Sequence, residues 1–163
     1  MRLHLITLLL LPFLLPAQPG SAPNTANASQ EDMSASQRAD LEKGIKHLLL
    51  TQVDAWNHGN LDGFMEGYWH SPDLTFFSGG TATHGWEPTL LRYRQRYQAE
   101  GKEMGKLDFQ DLTIDALSRQ SAVVRGKWQL SMSDGKQPHG LFTLIFKRMP
   151  DGWKIVHDHT SAE

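Results

Sequence analysis

The chain has no cysteine among its 163 residues. No disulfide can staple it, no thiolate can hold a metal, and no lipidated cysteine can anchor it. Its stability therefore has to come from an apolar core. Other absences are equally informative. No Gly-x-Gly-x-x-Gly follows a strand, so a dinucleotide site is not expected. Gly-x-Ser-x-Gly is missing, which removes the serine-hydrolase signal. Ser78-Gly79-Gly80 is too short for a phosphate cradle and has no Lys-Ser/Thr after it. Basic charge is not in excess, with 16 Lys and Arg against 18 Asp and Glu. A nucleic-acid partner would normally leave a basic patch, so none is expected.

The apolar run at the N-terminus is also short. Arg2 is followed by Leu3, Leu5, Ile6, Leu8–Leu11 and Phe13–Leu15, broken by Pro12 and Pro16. This is marginal for a bilayer span and has the layout of a secretory signal. Ala26-Asn27-Ala28 offers a small-x-small cleavage site before Ser29; Gly20-Ser21-Ala22 is a second, with Pro23 just after the cut. An uncleaved anchor is the competing reading. The expectation is a signal peptide over residues 1–28, a flexible lead-in over 29–35, a domain over 36–161, and a secreted or periplasmic location. Removing Arg2 with the leader leaves 15 basic against 18 acidic residues, a net charge of −3. The remaining length, about 135 residues, is enough for one real core.

Helical periodicity comes first along that domain. Leu41, Ile45, Leu48, Leu49, Val53 and Trp56 fall at helical spacing, with Ser34 or Ser36 available as cap and Asn57–Asn60 as the stop. Leu61 to Met65 reads as a short second helix. Leu74–Phe77 and Thr81–His84 read as a small hairpin, and Trp86 to about Ala99 as a third helix, with Pro88 tolerated in its first turn. The period then changes to two. Strands are expected at Leu107–Leu117, Ala122–Met132, Gly140–Arg148 and Trp153–Thr160. Helices first and a mostly antiparallel sheet last is an α+β pattern. A strongly curved sheet over a long helix would enclose a cavity.

Asp54–Asp62 (Asp-Ala-Trp-Asn-His-Gly-Asn-Leu-Asp), Tyr68-Trp69 followed by Leu74-Thr75-Phe76-Phe77, and Gly152–Ser161 (Gly-Trp-Lys-Ile-Val-His-Asp-His-Thr-Ser) occur in that order. Together with the element order they resemble the nuclear-transport-factor-2-like (NTF2-like) superfamily over residues 36–161. The small SnoaL-like, DUF4440-type domains look closest, and the association domain of calcium/calmodulin-dependent protein kinase II is also similar. The resemblance implies a cone-shaped fold, with a long N-terminal helix and two shorter ones on a strongly curved sheet. It also implies a homodimer. It implies no metal; no cofactor is expected from the sequence either. Activity is not implied, because related domains include isomerases, dehydratases, cyclases, hydrolases and assembly modules. The Tyr-plus-two-Asp set of ketosteroid isomerases and the His-Asp pair of scytalone dehydratases have no clear match here.

Candidate site residues follow from strand parity. His157 and His159 share one side of a strand, with Asp158 on the other and Trp153 and Ile155 on the histidine side. If that side is concave, either imidazole is a candidate general acid or base. If not, one histidine packs and the other makes a structural hydrogen bond. A metal reading would need a third ligand from His70, Asp73, His84 or His139. Pocket-lining candidates are Trp56, Tyr68, Trp69, Phe77, Tyr93 and Trp128. One of each pair Tyr68-Trp69 and Phe76-Phe77 must face inward. An aromatic wall suits a small apolar or ring-bearing molecule. Arg125 and Asp54 read as solvent-facing by default. Arg92, Arg94 and Arg96 do not make one helical stripe and read as a solvated rim. Two functions stay open: an exported binding or assembly domain, or a cofactor-free isomerase, dehydratase or hydrolase.

Overall fold

A computed structural model describes residues 33–162. The expected export segment, and the lead-in up to residue 32, lie outside the described residues. Among those described, no helix is long and apolar enough to cross a membrane.

The first helix, α1 (Ala35–Asn57), starts at Ser34 through a capping box. The Ser34 hydroxyl accepts from the Gln37 amide at 3.2 Å, and the Gln37 side chain accepts from the Ser34 amide at 2.9 Å. Leu41, Ile45, Leu49, Gln52 and Trp56 form its buried stripe. The helix ends where Asn57 is needed elsewhere. Its amide donates to Leu107 O at 3.0 Å and accepts from Leu107 N at 2.7 Å, which pins the helix end to the sheet. Helix α2 (Leu61–Met65) follows, capped by Asn60, then the hairpin β1 (Thr75–Ser78) and β2 (Thr81–His84) and helix α3 (Trp86–Tyr97). Strands β3 (Lys106–Ser118), β4 (Ser121–Ser131), β5 (His139–Met149) and β6 (Gly152–Thr160) complete the chain.

The six strands form one sheet in the order β2-β1-β6-β5-β4-β3. The sheet is mixed and curled but not closed. Against the mostly antiparallel expectation, one pairing differs: β1 runs parallel to β6. The segment 67–69 also lies along β6, with Ile155 N donating to Gly67 O and Trp69 N to Ile155 O, both at 2.9 Å. That parallel approach sets Tyr68 beside Ile155 of β6.

Two irregularities bend the sheet. In β3 the register shifts between Gln110 and Thr113, where Asp111 takes a φ of 53°. Gly126 sits opposite; a Cβ there would meet Phe142 at 2.7 Å and Leu112 at 2.9 Å, so only glycine lets the layers close over the bend. In β6 the partners run Ile145 with His157 but Phe146 with Ile155, which leaves Val156 as an extra residue. The concave face carries Ala122, Val124, Leu144, Phe146, Trp153 and Ile155 into the core with α1.

Candidate functional site

The bulge at Val156 decides which side chains reach the interior. Before it, Trp153 and Ile155 point into the core, 6% and 0% exposed. After it the parity is reversed, so Asp158 turns inward at 2% exposure and the histidines turn outward. The sequence expectation that His157 and His159 share a face with Trp153 and Ile155 assumed an unbroken alternation, and the extra residue overturns it. His157 instead shares a hydrogen bond with Thr75 Oγ1 at 2.6 Å. Its pKa is held below the ordinary histidine value by partial burial and by His159 nearby. Phe77 joins this outer cluster, 5.0 Å ring to ring from His157. No group of three or more metal-binding side chains forms among the described residues.

The interior holds a cavity of about 300 Å³. Its walls are aromatic: Trp56, Phe64, Tyr68, Phe76, Tyr93, Tyr97, Phe109, Trp128 and Phe142. Four of the six expected lining residues, Trp56, Tyr68, Tyr93 and Trp128, are among them. Trp69 and Phe77 are not, because Tyr68 and Phe76 are the inward members of their pairs. Trp69 borders a separate pocket with His70 and Trp86. The aromatic walls interlock edge to face, with Trp56 5.0 Å from Phe64 and 4.8 Å from Tyr97. Trp56 Nε1 donates to Met104 O and Trp128 Nε1 to Ser161 O, so neither indole presents its N–H to the cavity.

Polar groups gather at the inner end. The Tyr68 hydroxyl donates to Asp158 Oδ2 at 2.8 Å, and the Thr160 hydroxyl donates to Oδ1 at 2.6 Å. The Tyr93 side chain stands close enough to interact with both Tyr68 and Asp158. Burial pushes the Asp158 carboxyl up to about 6, despite the opposing hydrogen bonds from Thr160 and Tyr68 and the charge of His159. Burial and the neighbouring carboxylate push the Tyr68 phenol well above its ordinary value, so it stays protonated and a donor. Gln52, 2% exposed, donates through Nε2 to Phe64 O at 2.9 Å, while its Oε1 has no hydrogen-bond partner.

At the rim, Gly79, Arg96 and Ala162 are exposed and Arg92 half-buried. Arg92 donates to Ser78 O at 2.8 Å and Thr83 Oγ1 at 2.9 Å, and its guanidinium lies 5.0 Å from the Phe76 ring centre. Arg94 leaves this face to pair with Asp62 at 2.7 Å. The rim expected for all three arginines is thus supplied by Arg92 and Arg96, which stand one helical turn apart. Arg125 pairs with Asp115 on the outer face, and Asp54 is exposed, as their positions implied.

Sequence reasoning passed over Asp158. Unbroken alternation from Trp153 and Ile155 puts it on the opposite face. The bulge that turns it inward has no sequence mark, since Val156 is an ordinary strand residue.

A helix-backed, curled sheet around an aromatic cavity with one buried acid defines an NTF2-like domain. Residues 45–163 match the SnoaL-like domain, and the chain belongs to that family. It is similar to an NTF2-like protein of unknown function from Shewanella oneidensis MR-1, with 37% identity over 74% of this chain and 98% of that one and a TM-score of 0.68. An NTF2-like superfamily protein from Salmonella enterica is 17% identical over 76% and 92% of the two chains, with a TM-score of 0.65. An NTF2-like protein of unknown function from Pseudomonas putida KT2440 is 18% identical over 77% and 88%, with a TM-score of 0.64. No curated protein is significantly similar to the chain.

Proposed function

We propose that this chain is an exported domain that binds a small ring-bearing molecule in its aromatic cavity, with Asp158 gripping a polar group at the inner end. The observation that carries the reading is the buried Asp158 carboxyl, held by Tyr68 and Thr160 within a largely aromatic wall. A buried carboxyl with no cationic partner costs stability even when hydrogen-bonded, and a few placed polar groups in a mostly apolar cavity are what orient a ligand. The volume, about 300 Å³, is at the small end of ligand pockets and suits two or three fused rings. The leader-like composition of residues 1–28 supports export. Calorimetric titration with 2-naphthol tests the binding. Saturable one-to-one binding, with quenching of tryptophan fluorescence, is expected; an absence of saturable binding would sink the reading.

A second reading is favoured by the position of Asp158 near neutrality. A carboxyl pushed up to about 6 can accept a proton from carbon and return it, as a cofactor-free isomerase requires. With 2-tetralone as probe, deuterium incorporation at its acidic carbon is followed by NMR in D2O. Exchange above background that is lost in Asp158→Asn supports proton transfer, and equal exchange in both proteins removes it.

The outer face of the sheet supports self-association. Thr75, Phe77, His157, Ile145 and Val123 lie there half-buried with no helix over them among the described residues, and Leu141 is 53% exposed. A second copy stacking its own sheet on this face would give a homodimer.

A further inference from the structure

The cavity has two chemically opposite ends, and the bonds already made within each define what is missing. At the inner end, the two hydroxyls that touch Asp158 are committed, while the Tyr93 hydroxyl beside them can still donate or accept. Tyr68 and Thr160 both spend their hydroxyl hydrogens on Asp158. Acceptors are left over: each Asp158 oxygen has a further lone pair, and Gln52 Oε1, buried beside the same wall, accepts from nothing. A ligand group that meets the Asp158 oxygens has to bring a hydrogen-bond donor.

The outer end is the reverse. Arg92 and Arg96 both line the cavity from α3. Among the described residues neither has a carboxylate within ion-pair distance; Arg92 donates only to Ser78 O, Thr81 O and Thr83 Oγ1, and Arg96 to the Tyr97 hydroxyl. Arg94, between them, is neutralised by Asp62 outside the cavity. Two uncompensated guanidiniums at the mouth of an apolar chamber select an anion, which they hold by charge-assisted hydrogen bonds.

The register gives the spacing. Asp158 pairs with Phe76, and Thr160 pairs with Ser78, whose carbonyl holds Arg92. The two levels are two strand residues apart, about 7 Å. Two fused rings fit both that interval and the cavity volume.

Building on the binding reading above, we infer that the ligand class is a hydroxylated aromatic carboxylic acid, with its carboxylate at Arg92 and Arg96 and its hydroxyl donating to Asp158. The experiment compares three probes of one ring system by calorimetry: 6-hydroxy-2-naphthoate, 2-naphthoate and 2-naphthol. The first is expected to bind at least tenfold more tightly than 2-naphthol. That preference is expected to shrink with added salt, because the mouth is open to screening. Arg96→Met, at an exposed position, is expected to cut the naphthoate-to-naphthol preference at least fivefold. Arg94→Met is expected to leave the preference as it is. Arg92→Lys serves as the second variant, since it keeps the charge while losing the fork; a preference between those of the wild type and Arg96→Met is expected. Binding of 2-naphthol with no gain for either carboxylate overturns the acid assignment and leaves the binding reading standing. A preference untouched by Arg96→Met and Arg92→Lys overturns it too. Failure of all three probes to bind overturns both.

Discussion

Tyr68 donates to Asp158 across 2.8 Å, although 90 residues of chain separate them. The contact exists because the segment carrying Tyr68 runs alongside β6 and because the Val156 bulge turns Asp158 toward it. Tyr68→Phe is expected to raise the Asp158 pKa above about 6, since the lost bond favours the charged form. It is also expected to cost roughly 1–3 kcal/mol of stability above neutrality, the range for leaving a buried charged acceptor short of a donor. Carboxyl-carbon NMR titration and urea unfolding at pH 8 check the two outcomes.

The same carboxyl makes stability depend on pH with a definite sign. Its folded pKa, about 6, lies above the ordinary 3.8. Between those values the folded protein binds more protons than the unfolded chain, so Asp158's share of stability is complete below about pH 4 and is lost as pH rises through 6. The full effect is on the order of 3 kcal/mol. Asp158→Asn cannot ionise, so the difference between the variant and the wild type should move in the variant's favour from pH 4 to 6 and then level off. Urea midpoints of both proteins across pH 3.5–8 give the curve. A difference that stays flat would mean that Asp158 is solvated in the folded chain.

The histidines provide a contrasting prediction. His157 and His159 face away from the cavity, so His159→Ala is expected to leave 2-naphthol affinity within about twofold. His157→Ala gives up the bond to Thr75 and is expected to cost about 1 kcal/mol of stability with the same binding. Loss of binding in either variant would return the histidines to the site.

Most of the fold was legible because periodicity carries it. The stripe Leu41, Ile45, Leu49, Trp56 and the alternation Ala122, Val124, Trp128, Leu130 each identify one element and its buried face, and the observed α1 and β4 fall within a residue or two of the expected ranges. The site was less legible for a local reason. A strand's alternation propagates from any starting point until a bulge interrupts it, and one extra residue reverses every later assignment. Trp153 and Ile155 made the histidines look interior, yet they lie before Val156 and the histidines after it. The parallel β1–β6 pairing was hidden in another way, since the partners are far apart in sequence and neither strand has a local mark of direction. Arg92, Arg94 and Arg96 read together as a solvated rim, whereas a spacing of four puts only Arg92 and Arg96 on the cavity face.

Gly140 tests how the last strand closes the cavity wall. A Cβ at this position would stand 2.1 Å from the Ser161 carbonyl oxygen, which is backbone and cannot swing away, and 2.9 Å from Trp128 Nε1. Ser161 O accepts the Trp128 indole hydrogen at 2.9 Å, and Ser161 N donates to Leu141 O at 2.9 Å. Adding one methyl therefore strikes three groups that fix one another: the C-terminal segment, the β5 start and a cavity-wall tryptophan. Gly140→Ala is expected to destabilise by about 1–3 kcal/mol, the usual cost of overpacking, and to release the Trp128 hydrogen bond. The tryptophan emission should shift to the red as that indole gains water, and 2-naphthol should bind more weakly than to the wild type. Alanine at Gly135 is the comparison, because its φ of 83° strains a side chain but nothing stands within 4 Å of the added carbon. It is expected to lose about 1 kcal/mol while leaving emission and binding unchanged. Equal emission shifts in the two variants would show that global loosening, and not the contact with Ser161, controls the cavity wall.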